Sequence, residues 1–192
     1  GNYPWILSPD RPFKLKCPSC KEIWPRNDFA AYHDSGLGPE GIFCPDMADR
    51  SLLGNTDEES CLDDAMGWVD KEGNRWWFIA YYSHYGTWTW LPEAASILAR
   101  AWIYTGTPVY AHKAALILDR IADVYPAMDL APYSAMNLYN SHGGTGRGRI
   151  QGCIWETFIA EKIARAWDMV SETVESDHKL VEFLSQKAKR WS

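Results

Sequence analysis

Between Pro92 and Tyr125 apolar residues recur at helical spacing, and one four-residue turn, Tyr104–Thr105–Gly106–Thr107, interrupts them. Ala94, Ile97, Leu98, Ala101 and Trp102 make one stripe, and Ala111, Ala114, Ala115, Leu118, Ile121 and Ala122 make the next. Pro92 and Pro108 suit a first helical turn, where a missing N–H is harmless. Thr107 is placed to cap, and Gly106 follows the last turn of the preceding helix. So short a connection permits only antiparallel packing, and the small alanines let two helices approach closely. A second pair is predicted after Ile150. Ile154, Phe158, Ile159, Ile163, Ala166, Trp167 and Val170 mark a helix to about Val174. Ser176 then caps another, carrying Leu180, Val181, Leu184 and Ala188. The predicted class is mainly α, built from antiparallel αα hairpins.

The first 75 residues read differently. They are rich in Pro, Gly and Asp, and prolines such as Pro4, Pro9, Pro12, Pro18 and Pro25 forbid a long helix. The division predicted is therefore an irregular Pro/Gly/Cys-rich N-terminal segment, 1–75, and a helical-hairpin region, 76–192. Cys17-Pro-Ser-Cys20 is the sharp feature of the first part. A CxxC on a turn brings two thiolates to one tetrahedral metal, as in zinc ribbons and knuckles. A redox pair normally opens a helix, and Trp24-Pro25 stops any helix soon after. Cys44 is the candidate third ligand for a structural zinc, with His33 and Cys61 as others. Free thiols, a disulfide, or ligands upstream of Gly1 are the alternatives. The residues give no sign of an organic cofactor. Thr56 to Asp64, TDEESCLDD, reads as a solvated acidic loop; it lacks the ordered spacing of a calcium loop.

Nineteen basic residues against 25 acidic ones leave a formal charge of -6, which argues against a general nucleic-acid binder. No apolar run approaches the length of a membrane span, so no membrane insertion is expected. No signal peptide is visible, although Gly1 opens as if in mid-sequence. Eleven Trp and ten Tyr exceed the needs of a core this size. Amphipathic rings near a surface suit sugar rings, whose C–H groups stack on a π face; a merely Trp-rich core is the other reading. WWFIAYYSHYGTWTW, from Trp76 to Trp90, admits a strand and turn or a buried helix, and its aromatic and β-branched content favours the extended form. His84, Tyr85 and Trp88 within it are candidates to line a cleft, or to pack between helices.

The long loop before Ile150 contains YNSHGGTGRGRIQGCIWE, from Tyr139 to Glu156. Gly143, Gly144, Gly146 and Gly148 let the backbone come close to another molecule. Arg147 and Arg149 add fixed positive charge in an acidic chain, for an anionic ligand or for internal carboxylates. Tyr139, Asn140 and His142 are polar cleft candidates. Glu156 is placed to touch a sugar, to cap the loop amides, or to hold Arg149.

Taken together, KCPSCKEIWPRNDFAAYHDSG, FIAYYSHYGTW, ARAWIYTGTPVYAHKAALILDRIADVYP, GRIQGCIWE and IARAWDMV resemble the N-terminal part of heparinase II/III-like polysaccharide lyases. The resemblance implies an incomplete (α/α) toroid, with further helices and a β-sandwich following Ser192, in a secreted or periplasmic parent protein. It implies β-elimination on an anionic, uronic-acid polysaccharide. The family's catalytic Asn/His and Tyr come largely from later hairpins, so this stretch is expected to supply part of the cleft. Its catalytic candidates are Tyr139, Asn140 and His142. Its substrate contacts are Arg147, Arg149, His84, Tyr85, Trp88 and Glu156. A non-catalytic carbohydrate-binding or zinc-stabilised module is the alternative.

Overall fold

The computed structural model describes residues 4–39, 41–54, 61–131, 148–151 and 154–191. The protein is mainly helical with two small sheets. It divides into two compact units, one reaching Thr87 and the other running from Trp88 to Ala131 and on through the C-terminal helices.

The first unit is held by short elements. Strands β1 (Ile6–Leu7), β2 (Leu15–Lys16) and β3 (Ile23–Trp24) pair antiparallel in that order, with Leu7 opposite Leu15 and Leu15 opposite Trp24. Prolines and turns keep each strand to two residues, so side chains supply much of the bonding. The Lys14 ammonium donates to the carbonyls of Pro25 and Asn27 at 2.8 and 2.7 Å. Helix α1 (Phe29–Ser35) starts where the Asp28 carboxylate accepts from the Ala31 N–H, and it buries Phe29 and Tyr32 against Leu53 and Ile79. A hairpin, β4 (Trp68–Val69) and β5 (Arg75–Trp76), turns on Asp70, whose carboxylate accepts from Glu72 N, Asn74 N and the Trp76 indole N–H.

Asp63 ties these pieces together. Its side chain is completely buried. Oδ1 accepts from Ala65 N at 2.8 Å and Gly67 N at 2.9 Å, and Oδ2 accepts from Phe78 N at 2.8 Å and Ile79 N at 2.9 Å. Its main chain exchanges two 3.1 Å bonds with the Asn27 amide. Burial pushes the carboxyl above its ordinary range, and the four N–H groups oppose that shift. This corrects the reading of TDEESCLDD as wholly solvated: its first residues lie outside the described set, but Asp63 is a core residue.

The aromatic stretch after Trp77 is helical, contrary to the extended form its composition favours. Helix α2 (Phe78–Ala80) leads into a π-helical turn, Tyr81–Gly86. The two buried Asp63 bonds satisfy the first N–H groups of α2, and Phe78, Ile79 and Ala80 are all buried. Gly86 closes the turn because a Cβ there would come within 1.8 Å of Leu7 Cδ2.

The second unit is built from α3 (Thr87–Thr105, of which Thr87 belongs to the first unit), α4 (Pro108–Val124), α5 (Ile154–Ser176) and α6 (His178–Trp191). Its core is short-chained: Ala95 and Ala99 of α3, Ala111, Ala114, Ala115 and Leu118 of α4, Ala166, Val170 and Val174 of α5, and Leu180 of α6. The α4 stripe matches the predicted one apart from Ala122, which is exposed. Elsewhere there are shifts. Pro92 lies inside α3 and is fully buried, instead of opening it. Ile97, Ile154, Phe158 and Trp167, expected to face inward, are at least half exposed. The cap of α6 is Asp177, whose Oδ1 accepts from Leu180 N at 3.0 Å, while Ser176 is the last residue of α5. Asp177 Oδ2 also lies 2.6 Å from His112 Nδ1 of α4, and that contact holds the Asp177 carboxyl below its ordinary range. Lys187 of α6 reaches Asp119 and Asp123 of α4 at 2.5 and 2.6 Å. Desolvation works against its charge, but the two carboxylates outweigh it and hold the ammonium above its ordinary value.

Candidate functional site

The described part of the Gly/Arg stretch comprises residues 148–151 and the start of α5. Tyr139, Asn140, His142 and Arg147 lie outside the described residues. Two anchors fix the remainder. Ile150 is 1% exposed and packs with Trp88, Ile121 and Ile159. Beside it, the Arg149 N–H donates to the Met128 carbonyl at 3.3 Å, joining the segment to the chain that leaves α4.

Glu156 is the polar counterpart of the Ile150 anchor. It stands in the first turn of α5, where the helix dipole favours an anion. Its carboxylate reaches back over the preceding chain and accepts from Ile150 N at 3.3 Å (Oε1) and 3.2 Å (Oε2), and from Gln151 N at 2.8 Å. The geometry is that of a capping side chain satisfying amides that no helix serves. The Tyr125 hydroxyl, just past the end of α4, donates to Glu156 Oε1. Burial pushes the Tyr125 phenol up, and the bond to Glu156 and its charge push it further; Arg149 acts in the opposite sense. Tyr125 is therefore a stable hydrogen-bond donor, poorly suited to serve as a base at neutral pH.

Of the three roles open to Glu156 in the sequence, the geometry selects the capping of the loop amides. Arg149 follows from this. It is half-buried, close enough to influence Tyr125, and forms no ion pair with Glu156 or with any other carboxylate among the described residues. The Glu156 carboxylate, by contrast, accepts from Tyr125, Ile150 and Gln151. Tyr125 was absent from the sequence-derived set. Its position just before Pro126, in a long loop's approach, was the available signal.

The aromatic candidates fall differently. Trp88 is 4% exposed and meets Tyr125 edge-on, with ring centroids 5.6 Å apart. Its surface is used by the core, and its link to the site runs through Tyr125. His84 and Tyr85 belong to the first unit, on the π-helical turn. His84 is buried there, and the Tyr85 ring lies 4.9 Å from that of Tyr81. A π-helical turn inside an otherwise α-helical run is a feature often found at functional positions.

The cysteines of the CxxC share one turn. Cys17 and Cys20 occupy the turn that joins β2 to β3. Cys17 N donates to the Glu22 carbonyl at 2.8 Å, Lys21 N donates to the Cys17 carbonyl at 3.1 Å, and Cys20 N lies 3.4 Å from Cys17 Sγ as its donor. Lys21 takes a φ of 66°, which turns the chain sharply after the second cysteine. An amide aimed at a sulfur stabilises it as a thiolate, the form that binds metal. Cys44 caps a 3₁₀ turn, Pro45–Met47, and donates its N–H to the Gly36 carbonyl at 2.8 Å. It is not gathered with the pair: among the described residues no three His, Cys, Asp or Glu side chains form a metal-holding group. Among them, too, no helix is long and apolar enough to cross a membrane.

Compared with protein-family models, curated proteins and solved structures, the chain finds no match.

Proposed function

We propose that this chain forms part of a polysaccharide lyase acting on uronic-acid polymers, with Arg149 as a contact for the substrate carboxylate. The helices of the second unit would belong to αα hairpins of an incomplete (α/α) toroid, as the family resemblance implies. The observation that carries this reading is Arg149 itself. It is a half-buried cation on an anchored segment, and no carboxylate among the described residues forms an ion pair with it. In β-elimination the C6 carboxylate must be neutralised before the C5 proton can be removed. The electron pair left at C5 forms the C4–C5 double bond as the C4–O bond breaks, and the leaving oxygen takes a proton. A guanidinium paired with the C6 carboxylate stabilises the charge that develops there. Arg147, Tyr139, Asn140 and His142 are proposed for the same cleft, while Trp88, buried against Tyr125, acts behind it.

Titration calorimetry with short oligogalacturonates and oligoalginates tests the reading. Binding is expected, and Arg149→Ala should weaken it by about tenfold or more, the usual loss when a hydrogen bond to a charged group is removed. Equal affinity of the two proteins would remove Arg149 from the site. Absence of unsaturated-uronate ultraviolet absorbance when the parent enzyme meets such polymers would sink the lyase assignment.

A second reading, a zinc-stabilised structural hairpin in the first unit, rests on the Cys17–Cys20 turn and requires further ligands from outside the described residues; it is compatible with the first. Protein purified without chelator is expected to carry zinc in near-stoichiometric amount, and a Cys17→Ser/Cys20→Ser variant to lose it. Equal zinc content in both would refute the assignment to this pair.

A further inference from the structure

The Glu156 side chain joins three pieces of the second unit: the residue after α4, the 148–151 segment and the first turn of α5. We infer that Glu156 and Tyr125 form a clasp whose task is to set Arg149 in place for its anionic ligand, so that Glu156 is a positioning residue and does not contact substrate. The inference rests on the proposed role of Arg149.

Three observations lead to it. The clasp has a rigid side: Tyr125 is braced edge-on by the buried Trp88, so the acceptor position of Glu156 is set from within the core. It has a loaded side: the two amides that Glu156 receives belong to Ile150 and Gln151, directly after Arg149, so they fix the peptide on which Arg149 stands. Finally, Gly148, immediately before Arg149, has a φ of 69° and nothing within 4 Å of a would-be Cβ. That position imposes no packing restraint of its own, and among the described residues the Met128 carbonyl, Ile150 and the clasp hold the segment.

The test uses the wild-type chain with Glu156→Gln and Tyr125→Phe, read in two ways. Glutamine preserves size but presents an NH2 group where the carboxylate accepted, so it cannot serve Tyr125 and both amides together. Amide exchange at Ile150 and Gln151, followed by NMR, should accelerate by roughly tenfold or more in Glu156→Gln and less in Tyr125→Phe, with amides in the middle of α4 and α5 unchanged. Affinity for trigalacturonate should fall in the same order, about fivefold to tenfold for Glu156→Gln. Unchanged exchange at the two amides overturns the clasp while leaving the proposed function standing. Faster exchange with unchanged affinity overturns the positioning role. A wild-type chain that does not bind the oligosaccharide removes the proposed function and the positioning role with it, and the exchange data then show only a structural cap. If Glu156→Gln fails to fold, Tyr125→Phe, which deletes one oxygen, carries both readouts.

Discussion

Asp63→Ala is expected to destabilise the first unit by about 3–5 kcal/mol, as when one partner of a buried charged network is deleted. The substitution strands four N–H donors, those of Ala65, Gly67, Phe78 and Ile79, in a place that water does not reach. Each buried unsatisfied donor costs about 1–3 kcal/mol, and water entering the void recovers part of the sum. Cys61 and Ala65, on either side of Asp63, hold φ values of 49° and 85°, conformations that a non-glycine residue adopts only when its surroundings enforce them. Loss of the carboxylate removes that enforcement. Asn at this position keeps one acceptor for two of the amides but turns an NH2 group onto the other two. It is expected to rescue less than half of the loss. Urea unfolding followed by tryptophan fluorescence, with amide exchange at Phe78 and Ile79 as a local probe, measures both variants. A shift smaller than about 1 kcal/mol for alanine would show that the contacts are incidental.

Leu180→Ala is the second large effect, and it arises from the opposite kind of chemistry. Leu180 is 1% exposed and is the only leucine that α6 sends fully into the core of the second unit, in a cluster that is largely alanine and valine. Removing buried methyl groups costs their transfer free energy plus a term for the cavity that remains. Surroundings made of long side chains can relax into such a hole, but a core in which alanine and valine predominate has little to extend. The expected cost is therefore toward the upper part of the usual Leu→Ala range, about 3–4 kcal/mol. The Asp177 cap and the Lys187 bridges to Asp119 and Asp123 remain and keep α6 formed locally, so helix content should fall little while the thermal midpoint falls sharply. A loss below about 1.5 kcal/mol would mean that α6 is not packed as described.

Much of the second unit could be read from residue spacing, because its helices are amphipathic and a period of 3.6 selects one face. The α4 stripe is the clearest case: five of its six members are buried as expected. Spacing failed where it had to decide what covers a face. Ile154 and Phe158, four residues apart on α5, share a side that stays exposed, and Trp167, beside the buried Ala166, is still half exposed, because periodicity marks a face as apolar without supplying a partner for it. Pro92 misled for a related reason. A proline marks a missing N–H, and a helix start is only the commonest place for one; here the residue lies inside α3 and its ring is buried in the packing. Asp177 displaced Ser176 as the cap of α6 by one position, which is within the ordinary uncertainty of helix ends.

In the first unit the reverse held. The absence of long helices followed from the prolines, and the CxxC announced its turn, but the aromatic run after Trp76 could not be settled by propensity. Its residues favour strands in general. Two N–H bonds to Asp63 and the burial of Phe78, Ile79 and Ala80 decide for helix, and both lie far from the run in sequence or depend on packing.

The Gly/Arg stretch shows the same division at the site. The sequence by itself determined that fixed positive charge, polar groups and a freely bending backbone are concentrated before α5, and that a carboxylate follows one turn into that helix. It left open whether Arg149 and Glu156 serve each other. Only the tertiary structure decided this, by bringing Tyr125 from the end of α4 to the carboxylate and turning the Ile150 and Gln151 amides toward it. The reason is one of valence and distance. A carboxylate has a limited set of lone pairs, and which donors fill them depends on groups 5 to 31 residues away that a linear pattern does not rank.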